Sequence, residues 1–321
     1  MARKVMGTAT MAVARAVEAL WSDAPPEPSH LVVACSGGPD SLALAAVTQL
    51  VAARHSCPVT AVVVDHGLQP GSAQVAESAR DQLTGRDLRT EIIQVALERT
   101  GGPEAAARTA RYAALTWVAQ ALQALVLLGH TLDDQAETVL LGLARGSGAR
   151  SLSGMSGRRG IFWRPLLDLR RSVTHAACAE LGLTPWHDPH NHSPDFARVR
   201  VRQVVLPTLE AQLGPGIAEA LARSADQLRD DADLLDALAA TAYDQITSPA
   251  GLPCAGLAEL APSLRRRVLL RYLGERGARD VGAVHLAAVD RLVMHWHGQH
   301  GVDLPGLRVV RERGHLVTVA G

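Results

Sequence analysis

Residues 31–47 read Leu31-Val-Val-Ala34-Cys-Ser36-Gly37-Gly38-Pro39-Asp40-Ser41-Leu-Ala-Leu-Ala-Ala-Val47, a β-branched run, a glycine-rich turn and an apolar helical stretch in direct succession. A strand that feeds through a tight turn into a helix lying back on its own sheet needs that order. Outward from it, Val59 to Val64, Thr90 to Val95 and Leu125 to Leu128 read as further strands. Helical patterns alternate with them over Ser72 to Leu83, Pro103 to Leu122 and Asp133 to Ala144, the last stopped by Gly146 and Gly148. Proline opens the second of these, where a helix tolerates it. The alternation predicts an α/β fold, a parallel sheet with helices on both faces.

Past Gly146 the pattern loosens. A short apolar stretch at Ile161 to Leu167 precedes a helix over Ser172 to Leu181, and the segment Trp186 to Asp195 is loop-like. After the Gly-Pro-Gly punctuation at 214–216, Ile217, Leu221, Leu228, Leu235, Leu238 and Ile246 recur near helical spacing, which predicts one long amphipathic helix. The expected domains are therefore 1–215 and 216–321, the second smaller and mainly helical, with helices over 263–275 and 283–298 and a closing hairpin, Leu307 to Val310 with Leu316 to Val319.

The 321 residues carry no formal net charge, 32 basic against 32 acidic, but the charge is unevenly spread. From Arg145 to Arg202 ten arginines face four acids, a balance of +6; from Gln203 to Ile246 eight acids face two arginines, a balance of −6. Local excess of this kind bears on nucleic-acid binding more than the sum does. Lys4 is the only lysine, so the positive charge is almost all guanidinium, which forks onto phosphate oxygens. Four cysteines without a C-x-x-C pair fit buried, reduced thiols, and no apolar run approaches membrane-spanning length, so a cytoplasmic protein is expected.

The turn Ser36-Gly37-Gly38-Pro39-Asp40-Ser41 stands where backbone N–H groups and a helix N-terminus favour an anion. Its glycines let a phosphate approach, and its serines add hydroxyl donors. Asp40 is out of place beside phosphate unless a divalent cation lies between them, which suggests Mg²⁺ with a nucleotide. A second constellation, Gly129-His130-Thr131-Leu132-Asp133-Asp134-Gln135-Ala136-Glu137-Thr138, clusters carboxylates in the first turns of a helix, with Asp133 and Glu137 at i, i+4. Helix capping accounts for one or two of these acids; it accounts less well for His130 and Gln135.

The loop lacks the spacing and the lysine of the kinase and GTPase phosphate loop, and instead resembles the S-G-G-x-D-S loop of the ATP pyrophosphatases. Gly129 to Thr138, continuing to Gly148, is similar to the G-H-x-x-D-D-Q-x-E-T region of the tRNA(Ile)-lysidine synthetase family. Val64-Asp65-His66-Gly67-Leu68, Glu104 to Tyr112, Arg164-Pro165-Leu166, Trp186 to Asn191, Phe196 to Arg202 and Leu304-Pro305-Gly306 resemble further segments of it. Departures are Thr131 for a second histidine, Val199 for asparagine and Gln69 for arginine, and the C-terminal region is shorter than in the longest members.

The resemblance implies an adenine nucleotide α-hydrolase-like fold and a ligase that uses ATP and Mg²⁺. It would join free L-lysine to carbon 2 of the wobble cytidine of tRNA(Ile) with a CAU anticodon, with no membrane partner and with room for a homodimer. On this reading Ser36, Gly37, Gly38, Pro39, Asp40 and Ser41 hold ATP, and Asp40, Asp133, Asp134 and Glu137 are the candidate metal ligands. Asp40, His130, Asp134, Arg108 and Arg111 are the catalytic candidates, the arginines for the transferred phosphate. Arg198, Arg200 and Arg202 are the tRNA contacts, their alternation putting all three on one side if the segment is extended. A tRNA thiolase of the same superfamily, another adenylating synthetase and a non-catalytic tRNA binder are the alternatives. The missing C-x-x-C pair counts against the first, and the retained carboxylates count against the last.

Overall fold

The computed structural model describes residues 6–23, 28–67, 71–96, 103–188 and 193–319; Leu68, Gln69 and Asn191, which carry parts of the family resemblance, lie outside them. Two compact units are formed, one to Asp226 and one from Gln227.

In the first unit the elements run α1 (Thr8–Asp23), β1 (Leu31–Cys35), α2 (Pro39–Ala52), β2 (Val59–Asp65), α3 (Ser72–Thr84), β3 (Arg89–Gln94), α4 (Pro103–Leu122), β4 (Leu125–Leu128) and α5 (Leu132–Ala144). There follow α6 (Ala149–Leu152), β5 (Arg158–Arg159), β6 (Phe162–Trp163), α7 (Arg171–Glu180), α8 (Ala197–Arg200) and α9 (Leu206–Leu213). The six strands lie in the order β3-β2-β1-β4-β6-β5, every pair parallel except β5 with β6.

Strand β1 is buried along its whole length because both faces are covered. Its Leu31, Val33 and Cys35 pack with Val13 and Val17 of α1, Leu42 and Val47 of α2 and Ala177 of α7. Val32 and Ala34 turn the other way, onto Leu115, Val118 and Ala119 of α4. Period-two alternation with apolar residues on both sides produces an unbroken hydrophobic run, the expected appearance of an interior parallel strand. Helix α1, where no element was expected, adds Val13, Val17 and Leu20 to this core at helical spacing.

Helix α10 (Ile217–Ile246) begins just past the Gly-Pro-Gly turn on which the sequence-based boundary was drawn. Its Ala218 and Ala222 pack with Leu132 and Ala136 of α5 and with Val201 and Leu206, so the division between units falls inside the helix. The second unit continues with β7 (Leu252–Pro253), α11 (Cys254–Glu259), α12 (Pro262–Glu275), α13 (Ala283–Met294), β8 (Val302–Leu304), β9 (Leu307–Glu312) and β10 (His315–Val319). The hairpin is present as β9 and β10, and two short strands widen it to an antiparallel sheet, β7-β10-β9-β8. Strands of two and three residues are too short for alternation to reveal them. Tyr272 closes this core, donating its hydroxyl to the Leu316 carbonyl at 3.0 Å. All four cysteines are buried free thiols, and no helix among the described residues is long and apolar enough to cross a membrane.

Candidate active site

Strand β1 pairs with β2 on one side and β4 on the other, so the connections leave it in opposite directions and open a crevice at its carboxyl end. The two motifs meet there. Gly37 takes φ +78°, a conformation that a side chain resists, and a Cβ on it would come within 3.2 Å of Val75. The Ser41 hydroxyl ties the loop together, accepting from the Ser36 N–H at 3.0 Å and donating to the Gly38 carbonyl at 3.0 Å. Ser41 therefore shapes the turn instead of standing ready as a donor to an anion. Across the crevice, a Cβ on Gly129 would lie 3.3 Å from the backbone of Asp40 and Ser41, so glycine is what lets the β4 turn close on the loop.

A cavity of about 550 Å³ fills the crevice, lined by Ser36, Gly38, Pro39, Asp40, Ser41, Arg108, Arg111, His130 and Asp134 together with Arg171, His175, Trp186, Arg198 and Arg202. A narrower lobe of about 250 Å³, between β2 and α3, shares Ser36, Arg111, Trp186 and Asp188 with it and adds Asp65 and His66. The buried Nδ1 atoms of His66 and His130 have no hydrogen-bond partner among the described residues. Arg111 has no acid partner among them either, and burial lowers its pKa. Arg108 is exposed and rests on the Tyr112 ring, 5.0 Å from its centroid.

The four candidate metal carboxylates do not form one cluster. Asp133 turns to the start of α7, accepting the Arg171 backbone N–H at 2.7 Å and facing Arg170 at 3.3 Å. Glu137 is wholly buried, gripped by Arg171 at 3.2 Å, Arg198 at 3.0 Å and Arg202 at 2.7 Å. Neither lines the cavity, and three guanidinium groups leave Glu137 no oxygen for a cation. Asp134 does line it, but caps its own helix: one oxygen accepts the Thr131 N–H at 2.8 Å and its hydroxyl at 2.9 Å, and the other meets Arg171 at 2.8 Å. Only Asp40 keeps an oxygen without a close partner; Thr174 bonds its Oδ1, and Arg171 stands 3.8 Å from its Oδ2. Among the described residues no three acids, histidines or cysteines are arranged to hold a metal.

Arg198, Arg200 and Arg202 are not on an extended segment. Helix α8 runs into a wider π-type turn at Val201–Val205, and helical spacing sends Arg198 and Arg202 together onto Glu137 while Arg200 points away, bonding the carbonyls of Pro194 and Asp195. The residue sequence reasoning missed is Arg171, which touches Asp40, Asp134 and Glu137 at once. Nothing in its spacing marks it, since it reaches the acids only when α7 docks beside α2 and α5. Thr174 and His175, also on α7, were missed for the same reason, and Trp186, read only as part of the family resemblance, lines the cavity as well.

Burial pushes the Asp40 carboxyl up to about 6, against the opposing pull of Thr174 and Arg171 and with help from Asp134. Burial lowers His130 to about 3, aided by Arg164, Arg111 and Arg198 against Asp134, so its imidazole is neutral at pH 7. Asp134 is also penalised by burial, yet Arg171 and the Thr131 N–H hold it below the ordinary carboxylate range. Because the folded chain holds the Asp40 proton more tightly than the unfolded chain, whose aspartate titrates near 3.8, this group favours folding most below that value. The contribution is lost as pH rises through about 6. Without nucleotide or metal, Asp40→Asn should thus melt above the wild type at pH 8 by a margin that shrinks at pH 5. An equal gap at both pH values in calorimetry would show that Asp40 is not held protonated by the fold.

A parallel sheet with a Ser-Gly-Gly-x-Asp-Ser loop at its switch point defines a PP-loop, ATP-using protein, and the PP-loop domain family matches residues 9–209. The TilS substrate binding domain family matches residues 252–317. A tRNA(Ile)-lysidine synthase of Thermobifida fusca is 52% identical over 300 residues, 92% of this chain and 93% of that protein. The one of Mycolicibacterium paratuberculosis is 54% identical over 286 residues, 88% and 87% of the two chains. The chain belongs to the tRNA(Ile)-lysidine synthase family. Among solved structures, a U34-tRNA thiolase of Methanococcus maripaludis shares the fold with a TM-score of 0.57 at 18% identity, over 68% of this chain and 79% of that one.

Proposed function

We propose that the protein ligates free L-lysine to carbon 2 of the wobble cytidine of tRNA(Ile) bearing a CAU anticodon, acting in the cytoplasm at the expense of ATP. The observation that carries this is the meeting of the Ser36–Ser41 loop with Gly129, His130 and Asp134 in one cavity. Ser36, Gly37, Gly38, Pro39 and Asp40 receive the phosphates at the N-terminus of α2 while Ser41 holds the loop in shape, and the narrower lobe, with the unpartnered Nδ1 of His66, takes the base of the nucleotide.

The cytidine carbonyl oxygen attacks the α-phosphate of ATP and pyrophosphate leaves. The lysine ε-amine then forms the new C–N bond at carbon 2, and the C–O bond to AMP breaks. Arg111, a cation without an acid partner among the described residues, is placed to offset charge on the transferred phosphate, with the exposed Arg108 beside it. Neutral His130 serves as a hydrogen-bonding group, since an imidazole that titrates near 3 is a weak base at pH 7. Asp134, an ionised carboxylate in the same cavity, is the candidate for attracting the lysine ammonium by its charge, while its lowered pKa makes it, like His130, a weak base. That ammonium has an ordinary pKa of about 10.4 and must lose a proton before it attacks.

Mg²⁺ suits Asp40: a carboxylate oxygen with no cation closer than the Arg171 Nε at 3.8 Å, in a site whose burial resists a bare negative charge, would fit a cation held also by phosphate oxygens. Such a cation would neutralise charge on the phosphates. Arg200 contacts tRNA phosphate, while Arg198 and Arg202 chiefly balance Glu137. Residues 1–215 carry the chemistry and 216–321 position the tRNA, a division that the substrate-binding family match supports. In an assay with the tRNA transcript and labelled lysine, one AMP and one pyrophosphate are expected per lysine incorporated. Release of ADP, or turnover that ignores lysine, would refute the proposal.

A further inference from the structure

Between Glu137 and Asp168 thirty residues pass without one acid, and five of them are arginine: Arg145, Arg150, Arg158, Arg159 and Arg164. The first four are exposed, and Arg145 and Arg159 have no acid partner among the described residues. This sets them apart from Arg170, Arg171, Arg198 and Arg202, each of which is spent on a carboxylate.

The fifth, Arg164, is only 8% exposed, and its buried Nε has no partner; the one hydrogen bond its side chain makes among the described residues is to the Ser156 carbonyl, at 2.8 Å. A buried guanidinium without a counter-ion is costly in an isolated protein and is relieved by an anion that arrives with a ligand. Arg164 also stands near enough to His130, which lines the cavity, for its charge to depress that imidazole.

The platform under these side chains is held from the catalytic side. Gln135, next to Asp134, bonds Met155 in both directions, accepting its N–H at 2.7 Å and donating to its carbonyl at 2.9 Å. A Cβ on Gly154 would strike Gln135. Gly146, Gly148, Gly157 and Gly160 face open space, so backbone there can be approached closely.

We propose that the exposed arginines of this segment, Arg145 and Arg159 foremost, form a track for an RNA phosphate backbone, leading a single-stranded loop past Arg164 so that its unpaired base enters the cavity beside His130. The proposal rests on the functional reading above and assigns it a contact surface on the first unit. Guanidinium groups on a glycine-rich segment suit phosphates spaced along a strand, and the tie from Met155 to Gln135, next to the cavity-lining Asp134, favours RNA over a membrane surface.

Arg145→Glu/Arg159→Glu tests it in the full chain, since neither residue touches the cavity. Binding of anticodon stem-loop RNA, followed by anisotropy across a salt series, should weaken at least about tenfold at 0.1 M salt, with the slope of log K against log salt falling by about two. ATP affinity and the melting temperature should stay as in the wild type. Unchanged RNA affinity and slope in the folded variant would overturn the track, as would loss of binding to phosphatidylserine vesicles with RNA binding intact. The functional reading is tested separately by lysidine formation in the wild type, so failure of one is distinguishable from failure of the other.

Discussion

Asp40→Asn should cut tRNA-dependent pyrophosphate release by about three orders of magnitude or more while the protein remains folded. The carboxylate sits at the first turn of α2, in the cavity, with one oxygen that only the Arg171 guanidinium approaches, at 3.8 Å. Asparagine preserves its shape and can still accept from Thr174, but offers no charge to a cation among phosphates. The fold should survive because burial already opposes the ionised form, so its removal relieves a cost at neutral pH. Pyrophosphate release and a thermal melt on one preparation decide the matter. A folded variant with wild-type turnover would take Asp40 out of the reaction and leave α2 with no electrostatic reason for an aspartate there.

Glu137→Ala should behave in the opposite way, losing stability and activity together. Its carboxylate has no exposure and balances Arg171, Arg198 and Arg202, whose side chains are 17%, 41% and 27% exposed. Breaking a buried ion network by removing one sign of charge costs about 3–5 kcal/mol. The exposed Arg198 contributes least, because water screens it. For a unit of this size that loss lowers the melting temperature by roughly 10 °C. Arg171 would also lose one of the anchors that hold it against Asp40 and Asp134, so nucleotide affinity should fall in the protein that remains folded. A melt within about 2 °C of the wild type would show that the three arginines find other partners, and that Glu137 is not the hub of the site.

Taken together the two variants separate chemistry from support, and the distinction was not legible in sequence. Asp40, Asp133, Asp134 and Glu137 look alike there, four acids next to glycine-rich or helical motifs. Asp40 and Asp134 face the cavity, whereas Asp133 is taken up by the start of α7 and Glu137 by arginines of α7, α8 and the turn after it. The arginine set was misread for a local reason: alternating arginines suggest a strand, but the chain is helical at 197–200, which puts residues four apart, not two apart, on one side.

The sequence by itself determined the parallel sheet, the order of its helices and the loop at Ser36–Ser41. These follow from short-range constraints, the apolar run of β1 and the glycines that its turn requires. Helix α10 and the terminal hairpin were legible on the same grounds, periodicity over enough residues to register. Strands β7 and β8 and helix α1 were not, because their identity depends on the partners that cover them. Only the tertiary structure decided which carboxylate is free and which are bound. Ion pairing acts over a few ångströms between residues 34 to 65 positions apart, as from Glu137 to Arg171 and Arg202, and no local pattern along the chain records that proximity.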